Sequence, residues 1–228
     1  NHLQVLLHAE SLKASDPLLQ LQELIVKLKA KQEWLRHQPT EALIGLIAEV
    51  AKKWSDDTSL AFLKDKGLLF LSSWCDYNHL SSMAHLGIKG NYQYLDQYLA
   101  FPNSEKHMLR ANARGLVCHW LAGNVQILGL FALVQSIISK NVNLLKVSSR
   151  DNGVFETILN SFKGVYYKTA QGYTITGDEL LDTIGLIYFS HHADLLGEEM
   201  SKQADVRIAW GGKSAVETVC SYPTKFDA

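Results

Sequence analysis

The spacing of apolar residues changes character partway along the chain. From Ser15 to about Leu86 they recur at helical intervals: Leu18, Leu21, Leu24, Ile25 and Leu28, then Leu43, Leu46, Ile47, Val50 and Trp54. Positions three and four apart fall on one stripe of a helix. Ser15-Asp16-Pro17 is a helix start, a capping residue followed by proline in the first turn. The pattern predicts a helix from there to about His37, a second from Pro39-Thr40-Glu41, and continued helix over Ser59 to Leu86. Ahead of these, Leu3 to Leu7 reads as a short strand or the end of another element. Lys89 to Pro102, with Tyr92, Tyr94, Tyr98 and Phe101, reads as a connecting segment packed on the body, or as an aromatic wall.

From Leu116 onward the apolar residues come instead in short unbroken runs. Leu116 to Leu121 is a predicted strand suited to burial on both faces, Ile184 to Phe189 a buried strand, Asn143 to Val147 and Asp205 to Trp210 are further strands, and Gly164 to Thr169 could be another. Between and after them Val125 to Ile138, Gly153 to Phe162, Asp178 to Thr183, Asp194 to Gln203 and the stretch from Ala215 to Cys220 read as helices. Strands alternating with helices predict a doubly wound, mostly parallel, Rossmann-like α/β sheet. The expected division is a helical region over residues 1–102 packed on a sheet-bearing region over residues 103–228.

Composition narrows the picture only slightly. The 228 residues carry a net charge of -1 and a 47% hydrophobic fraction, which gives no global argument for nucleic acid or membrane binding. The most apolar stretch, Val125 to Ile138, is too short to span a bilayer and contains Gln126 and Gln135. Three irregularly spaced cysteines make neither a disulfide framework nor a zinc pattern, so a reducing cytoplasm is the expected compartment. Cys75 and His79 lie four apart with no second pair, and no metal site is expected. The chain starts at Asn1 rather than Met, so its natural start is expected upstream.

In an open parallel sheet, ligands sit beyond the carboxyl ends of the strands. Polar groups cluster there: Asn124 after the first run, Lys146 with Ser148, Ser149 and Arg150 after the second, Ser190-His191-His192 after the third, and Gly211-Gly212-Lys213-Ser214 after the fourth. The common nucleotide fingerprints, G-x-G-x-x-G and G-x-x-x-x-G-K-[ST], are missing. Gly123-Asn124 offers donors suited to an oxyanion or a bound anion, or a plain helix cap. Lys146 suits ribose or phosphate oxygens, or is a solvated charge. These residues take the reading as far as an α/β domain binding an anionic, nucleotide-like ligand.

Four segments in order resemble the aldehyde dehydrogenase superfamily, and within it the LuxC-type acyl-CoA reductases. They are GLVCHWLAGNV at 115–125, NLLKVSSRD at 143–151, IYFSHH at 187–192 and DVRIAWGGKSAVETV at 205–219. The resemblance implies NADPH-dependent reduction of a fatty acyl-CoA or acyl-protein thioester to an aldehyde, through an acyl-cysteine. It puts Asn124 at the oxyanion asparagine, a contribution of about 3 kcal/mol for one such donor. It puts Lys146 on the adenosine ribose or its phosphate. Ser148, Ser149 and Arg150 form the adjoining loop, where a serine in place of a glutamate admits a 2′-phosphate. Ser190 and His191 fall on the loop over the pyrophosphate, Gly211 and Gly212 on a turn near the nicotinamide. Ala209 takes the place of the glutamate that activates hydrolytic water in aldehyde dehydrogenases, which suits an enzyme that must keep water off its acyl-enzyme.

The family's nucleophilic cysteine lies beyond the Gly-Gly turn, and Cys75, Cys118 and Cys220 do not match it, so the catalytic cysteine domain is expected to be absent from this chain and the chain inactive alone. The partners expected on the same basis are the acyl thioester, a second copy in a homo-oligomer, and acyl-transferring or aldehyde-consuming enzymes; no nucleic acid and no membrane span is expected. The rival expectations are NAD(P)-dependent aldehyde oxidation by another subfamily and a non-catalytic nucleotide-binding module.

Overall fold

The computed structural model describes residues 2–8, 10–101, 104–123 and 127–225. The chain opens with strand β1 (Leu3–Leu7) and then forms α1 (Pro17–Ala30), α2 (Gln32–His37) and α3 (Thr40–Asp56). Asp16 starts α1 as its sequence predicts: the carboxylate accepts the N–H groups of Leu18 and Leu19, and Pro17 occupies the first turn. The helix expected to reach His37 breaks at Lys31. There the chain re-aims so that the Gln32 amide donates to the Lys140 carbonyl (2.7 Å) across the fold. In α3 the expected stripe Leu43, Leu46, Ile47, Val50 and Trp54 is fully buried.

The helical stretch after α3 is likewise three pieces rather than one: a 3-10 helix (Thr58–Lys66), α4 (Leu68–Trp74) and α5 (Tyr77–Gly87). Gly67, at φ 95°, ends the first, a left-handed conformation that favours glycine. Asp76 caps the last by accepting the N–H groups of Asn78 and His79. A 3-10 turn (Tyr92–Leu95) follows, and then a hairpin of β2 (Leu99–Phe101) and β3 (Ser104–Leu109) that the apolar spacing does not predict.

The alternating part comprises β4 (Leu116–Trp120), α6 (Leu128–Ile138), β5 (Val142–Val147), α7 (Val154–Asn160), β6 (Tyr166–Lys168), β7 (Thr174–Thr176), α8 (Gly177–Leu181), β8 (Ile184–Phe189), α9 (Asp194–Gln203), β9 (Val206–Ala209) and α10 (Lys213–Ser221). Strand order is β1-β8-β5-β4-β9; the last four are parallel, and β1 adds antiparallel to β8. The N-terminal residues therefore complete the sheet as well as packing on it. One hydrophobic core joins α1 and α3 to β4, β5 and β8. The run at 164–169 does not join the sheet. Gly172, at φ 89°, turns the chain back, and β6 pairs only with β7 to form a ribbon lying on α3, where Tyr167 sits over Gly45.

The order of connection decides where a ligand can sit. From β4 the chain moves outward to β5 and β8, then returns to place β9 on the other flank of β4. Right-handed crossovers running in opposite directions put α6 and α9 on opposite faces. A crevice opens where the direction reverses, beyond the carboxyl ends of β4 and β9.

Candidate functional site

A cleft of about 740 Å³ lies at that reversal point. Its floor is Trp120 to Gly123 after β4 and Ala209 to Gly212 after β9; Lys146 and Ser148 to Arg150 form one side, and Phe189 and His191 lie beside them. Thr218, Val219 and Tyr222, at the end of α10 and just past it, close the other side. The volume suits a cofactor-sized ligand.

Parallel pairing of β4 with β5 and β9 sets the strand ends level. Trp120 pairs with Lys146 on one side and Ala209 on the other, and the Leu121 N–H donates to the Lys146 carbonyl at 3.0 Å. Lys146 thus emerges at the cleft edge with its ammonium 5.2 Å from the centre of the Phe189 ring. Burial lowers its pKa, because little water remains to solvate the charge. Among the described residues it has neither a hydrogen-bond nor an ion-pair partner. The loop after it is held by local hydrogen bonds: Ser148 Oγ accepts the Arg150 N–H (3.2 Å), and the Ser148 carbonyl accepts the Asp151 N–H (3.1 Å).

The charge balance of the wall is one-sided. Lys146, Arg150 and Lys213 line the cleft with His191, and no aspartate or glutamate does so among the described residues. Lys213 is exposed and lies 3.7 Å from Glu217, outside the wall. Gly212 has nothing near where a Cβ would point, so a flat ligand can approach the backbone there. Such a wall suits an anionic group such as a phosphate.

Most of the residues singled out from the sequence meet in this cleft: Lys146, Ser148, Ser149, Arg150, His191, Gly211 and Gly212. Ser190 does not line it; its hydroxyl accepts the His192 N–H (3.3 Å) and its carbonyl the Ala193 N–H (2.9 Å), which shapes the turn into α9. Asn124 lies outside the described residues. The sequence reading missed Trp120, Trp210, Phe189 and Tyr222 as wall residues. The first three sit at or next to the carboxyl ends of predicted strands, a signal that was present; Tyr222 follows α10 and carries no such mark.

The cysteines stand apart from this chemistry. Cys75 and Cys118 are fully buried; burial pushes the first thiol up to about 12 and raises the second as well. Cys220 is exposed but is not in the cleft wall. No group of three or more His, Cys, Asp or Glu fit to hold a metal occurs among the described residues. Nor is any described helix long and apolar enough to cross a membrane.

Fold and cleft together define an α/β dinucleotide-domain architecture with a crevice lined by cations at its switch point. The family model described as Acyl-CoA reductase (LuxC) matches residues 35–227, and the chain belongs to that family. A long-chain acyl-protein thioester reductase of Aliivibrio fischeri is 28% identical over 134 residues, which cover 58% of this chain and 26% of the relative. The chain thus spans about a quarter of that relative's length. Among solved structures, proline utilization A (PutA) superposes with a TM-score of 0.64 at 10% identity, covering 92% of this chain and 21% of that one. Glyceraldehyde-3-phosphate dehydrogenase GapN from Methanocaldococcus jannaschii, complexed with NADP, gives 0.57 at 14% identity, covering 95% and 47%. At these identities the two structures speak for the fold, an aldehyde dehydrogenase-like one.

Proposed function

We propose that this chain is the cofactor-binding part of an NADPH-dependent reductase that converts a fatty acyl-CoA or acyl-protein thioester to an aldehyde through an acyl-cysteine. The observation that carries the reading is the cleft itself: three cations and no carboxylate, at the carboxyl ends of parallel strands. Lys146, Ser148, Ser149, Arg150, His191 and the Gly211-Gly212 turn are the residues that would hold a dinucleotide. Its two phosphates and a 2′-phosphate would meet the cations, and Gly212 leaves room for a flat ring. Lys146 supplies a half-desolvated positive charge, which gains most from an anion brought against it. Ser149 with Arg150 can accept a 2′-phosphate, which favours NADPH over NADH. GapN bound to NADP and betaine aldehyde dehydrogenase from Staphylococcus aureus bound to NAD+, both on this fold, support a dinucleotide and leave the choice between the two to the serine and arginine.

When bound, the dinucleotide supplies the hydride. Asn124 is assigned the oxyanion, and its amide donates to the oxygen of the tetrahedral adduct. The thiol that takes the acyl group is none of Cys75, Cys118 and Cys220, since two are buried and the third is outside the cleft. The thioester substrate is supported by the name of the Aliivibrio relative. The same reading includes residues 1–102 acting as a supporting region for a cofactor region at 103–228. It also includes a homo-oligomer in the cytoplasm, working with acyl-transferring or aldehyde-consuming enzymes.

Aldehyde oxidation is the second reading, favoured by the aldehyde dehydrogenase-like fold. The methyl group of Ala209 in the cleft wall speaks against it, because no carboxylate is there to activate water. The test is a fluorescence titration with NADPH and NADH, with Trp120 and Trp210 in the wall as reporters. Saturable binding that prefers NADPH, weakened about tenfold by Lys146→Ala or Arg150→Ala, is expected, the size of one charged hydrogen bond. A folded protein that binds neither dinucleotide refutes the proposal.

A further inference from the structure

One wall of the cleft is held from behind. Thr218, Val219 and Tyr222 close the side away from Lys146, and all three sit near or just past the end of α10. The helix has little packing of its own: Val219 is its one buried residue, and no described side chain caps its first turn. Its end is tied down by Arg207. From β9, Arg207 Nη1 donates to the Val219 carbonyl (3.1 Å) and to the Tyr222 carbonyl (3.2 Å). The same nitrogen donates to Ser201 Oγ at 3.0 Å, and Ser201 is fully buried in α9. The last carbonyls of a helix lack partners within it and carry its negative end, so a guanidinium there both bonds and neutralises them. The Tyr222 ring seats the same end on α9, over Gly197, where a Cβ would stand 2.6 Å from Tyr222 Cζ. Arg207 itself stands behind the wall and does not line the cleft.

We propose that Arg207 is a positioning residue that pins the end of α10, so that Thr218, Val219 and Tyr222 stand against a dinucleotide bound in the cleft. The inference rests on the cofactor reading above. Lys146 and Arg150 offer charge to the ligand directly, whereas Arg207 sets only the place of the wall across from them. Removing it should loosen α10 and weaken binding without changing the number of cations that the ligand meets.

The experiment uses the full-length protein with Arg207→Met and Arg207→Lys, read by NADPH titration at several salt concentrations and by hydrogen exchange over residues 213–222. Arg207→Met is expected to weaken NADPH binding roughly tenfold, the size of one charged hydrogen bond. It should also speed exchange over 213–222 while β4 and β5 stay protected. The salt dependence of binding should match the wild type, whereas Lys146→Ala should flatten it. Arg207→Lys should recover most of the affinity, because all three bonds leave from one nitrogen and an ammonium carries three donors. General loss of stability produces neither that recovery nor faster exchange confined to α10. Wild-type affinity in Arg207→Met, a flattened salt dependence, or a folded Arg207→Lys that binds no better than Arg207→Met overturns the inference. If Arg207→Met does not fold, exchange in the wild type decides: NADPH should protect 213–222, and unchanged exchange there overturns the inference. A wild-type protein that binds no dinucleotide overturns the cofactor reading and this inference with it. A binding wild type with an unaffected Arg207→Met overturns the inference alone.

Discussion

His119 should make this protein's stability fall with acid, because its buried ring resists protonation. It lies in β4, fully buried, one residue before the cleft floor. The Asn143 amide nitrogen donates to the Asn141 carbonyl (2.8 Å), so Asn143 turns its oxygen to His119 Nε2 at 2.9 Å. The ring is therefore neutral with its proton on Nε2. Among the described residues, Nδ1 is buried without a hydrogen-bond partner. A second proton would have to sit there with neither water nor an acceptor, and burial pushes the pKa from 6.5 down to about 4. The unfolded chain takes up this proton as pH drops through 6.5, whereas the folded chain does so only near 4. Stability from this residue is thus intact above 6.5 and lost on the way down. Integrating proton uptake gives a loss of about 2.5 kcal/mol by pH 4.5, against a total of roughly 5–15 kcal/mol for a typical domain. Urea unfolding at pH 7.5, 6.0 and 4.5 measures it, with His119→Gln as reference because glutamine can still donate to Asn143. Carboxylates such as Glu23, held down by the Ala14 and Lys13 N–H groups, titrate in both proteins and cancel. Between pH 7.5 and 4.5 the wild type should lose about 2.5 kcal/mol more than the variant. Equal losses would refute the argument.

Two further perturbations test the packing that carries the site. The Lys140 ammonium is buried at the end of α6, 2.5 Å from Asp96, and also donates to the Leu95 carbonyl (3.0 Å). Lys140→Met should cost about 3 kcal/mol in urea unfolding, because Asp96 is left half-desolvated without its cation; a change below 1 kcal/mol would argue that water replaces the pair. The Trp54 indole N–H donates to Ser161 Oγ at 2.7 Å inside the core. Ser161→Ala should lower stability by about 1–3 kcal/mol and leave dinucleotide affinity unchanged, as the unpaired N–H is remote from the cleft.

Much of the fold was legible because the sheet is buried on both faces. The β8 run Ile184–Phe189 and helix α9, Asp194–Gln203, were predicted to the residue, since an unbroken apolar run flanked by polar tips has few other solutions. What failed were breaks made by tertiary contacts. Nothing in the local pattern says that Gln32 will reach Lys140, and that reach is what divides the first helix. The strand expected at 164–169 forms as β6, but its place in a β6–β7 ribbon was not legible, because the ribbon lies on a helix and its turn is set by one glycine. The cationic wall was legible because polar residues gathered after each apolar run. Its one-sided charge was not, since it depends on which residues the switch point brings together.

Ala209 tests whether this wall is organised to exclude hydrolysis. Its strand neighbour Trp120 ends at the cleft floor, and Arg207, two residues earlier on the same face of β9, is tied to Ser201 Oγ (3.0 Å) and the Val219 carbonyl (3.1 Å). Position 209 is thus held in register by both flanks, and a longer side chain there enters the cleft. Ala209→Glu adds a carboxylate where none lines the wall. Two effects should follow under the reductase reading. Dinucleotide affinity should drop, because the new charge opposes the phosphates that Lys146 and Arg150 attract. Hydrolysis of the acyl thioester should rise at the expense of aldehyde, by roughly 10²-fold if the carboxylate acts as a general base. In the full-length protein, which carries the acyl-accepting thiol under this reading, product analysis of acyl-CoA turnover with and without the substitution separates acid from aldehyde. Weaker cofactor binding with no gain in acid would mean that position 209 faces the phosphates rather than the acyl group, and the account of water exclusion would fail while the cofactor site stood.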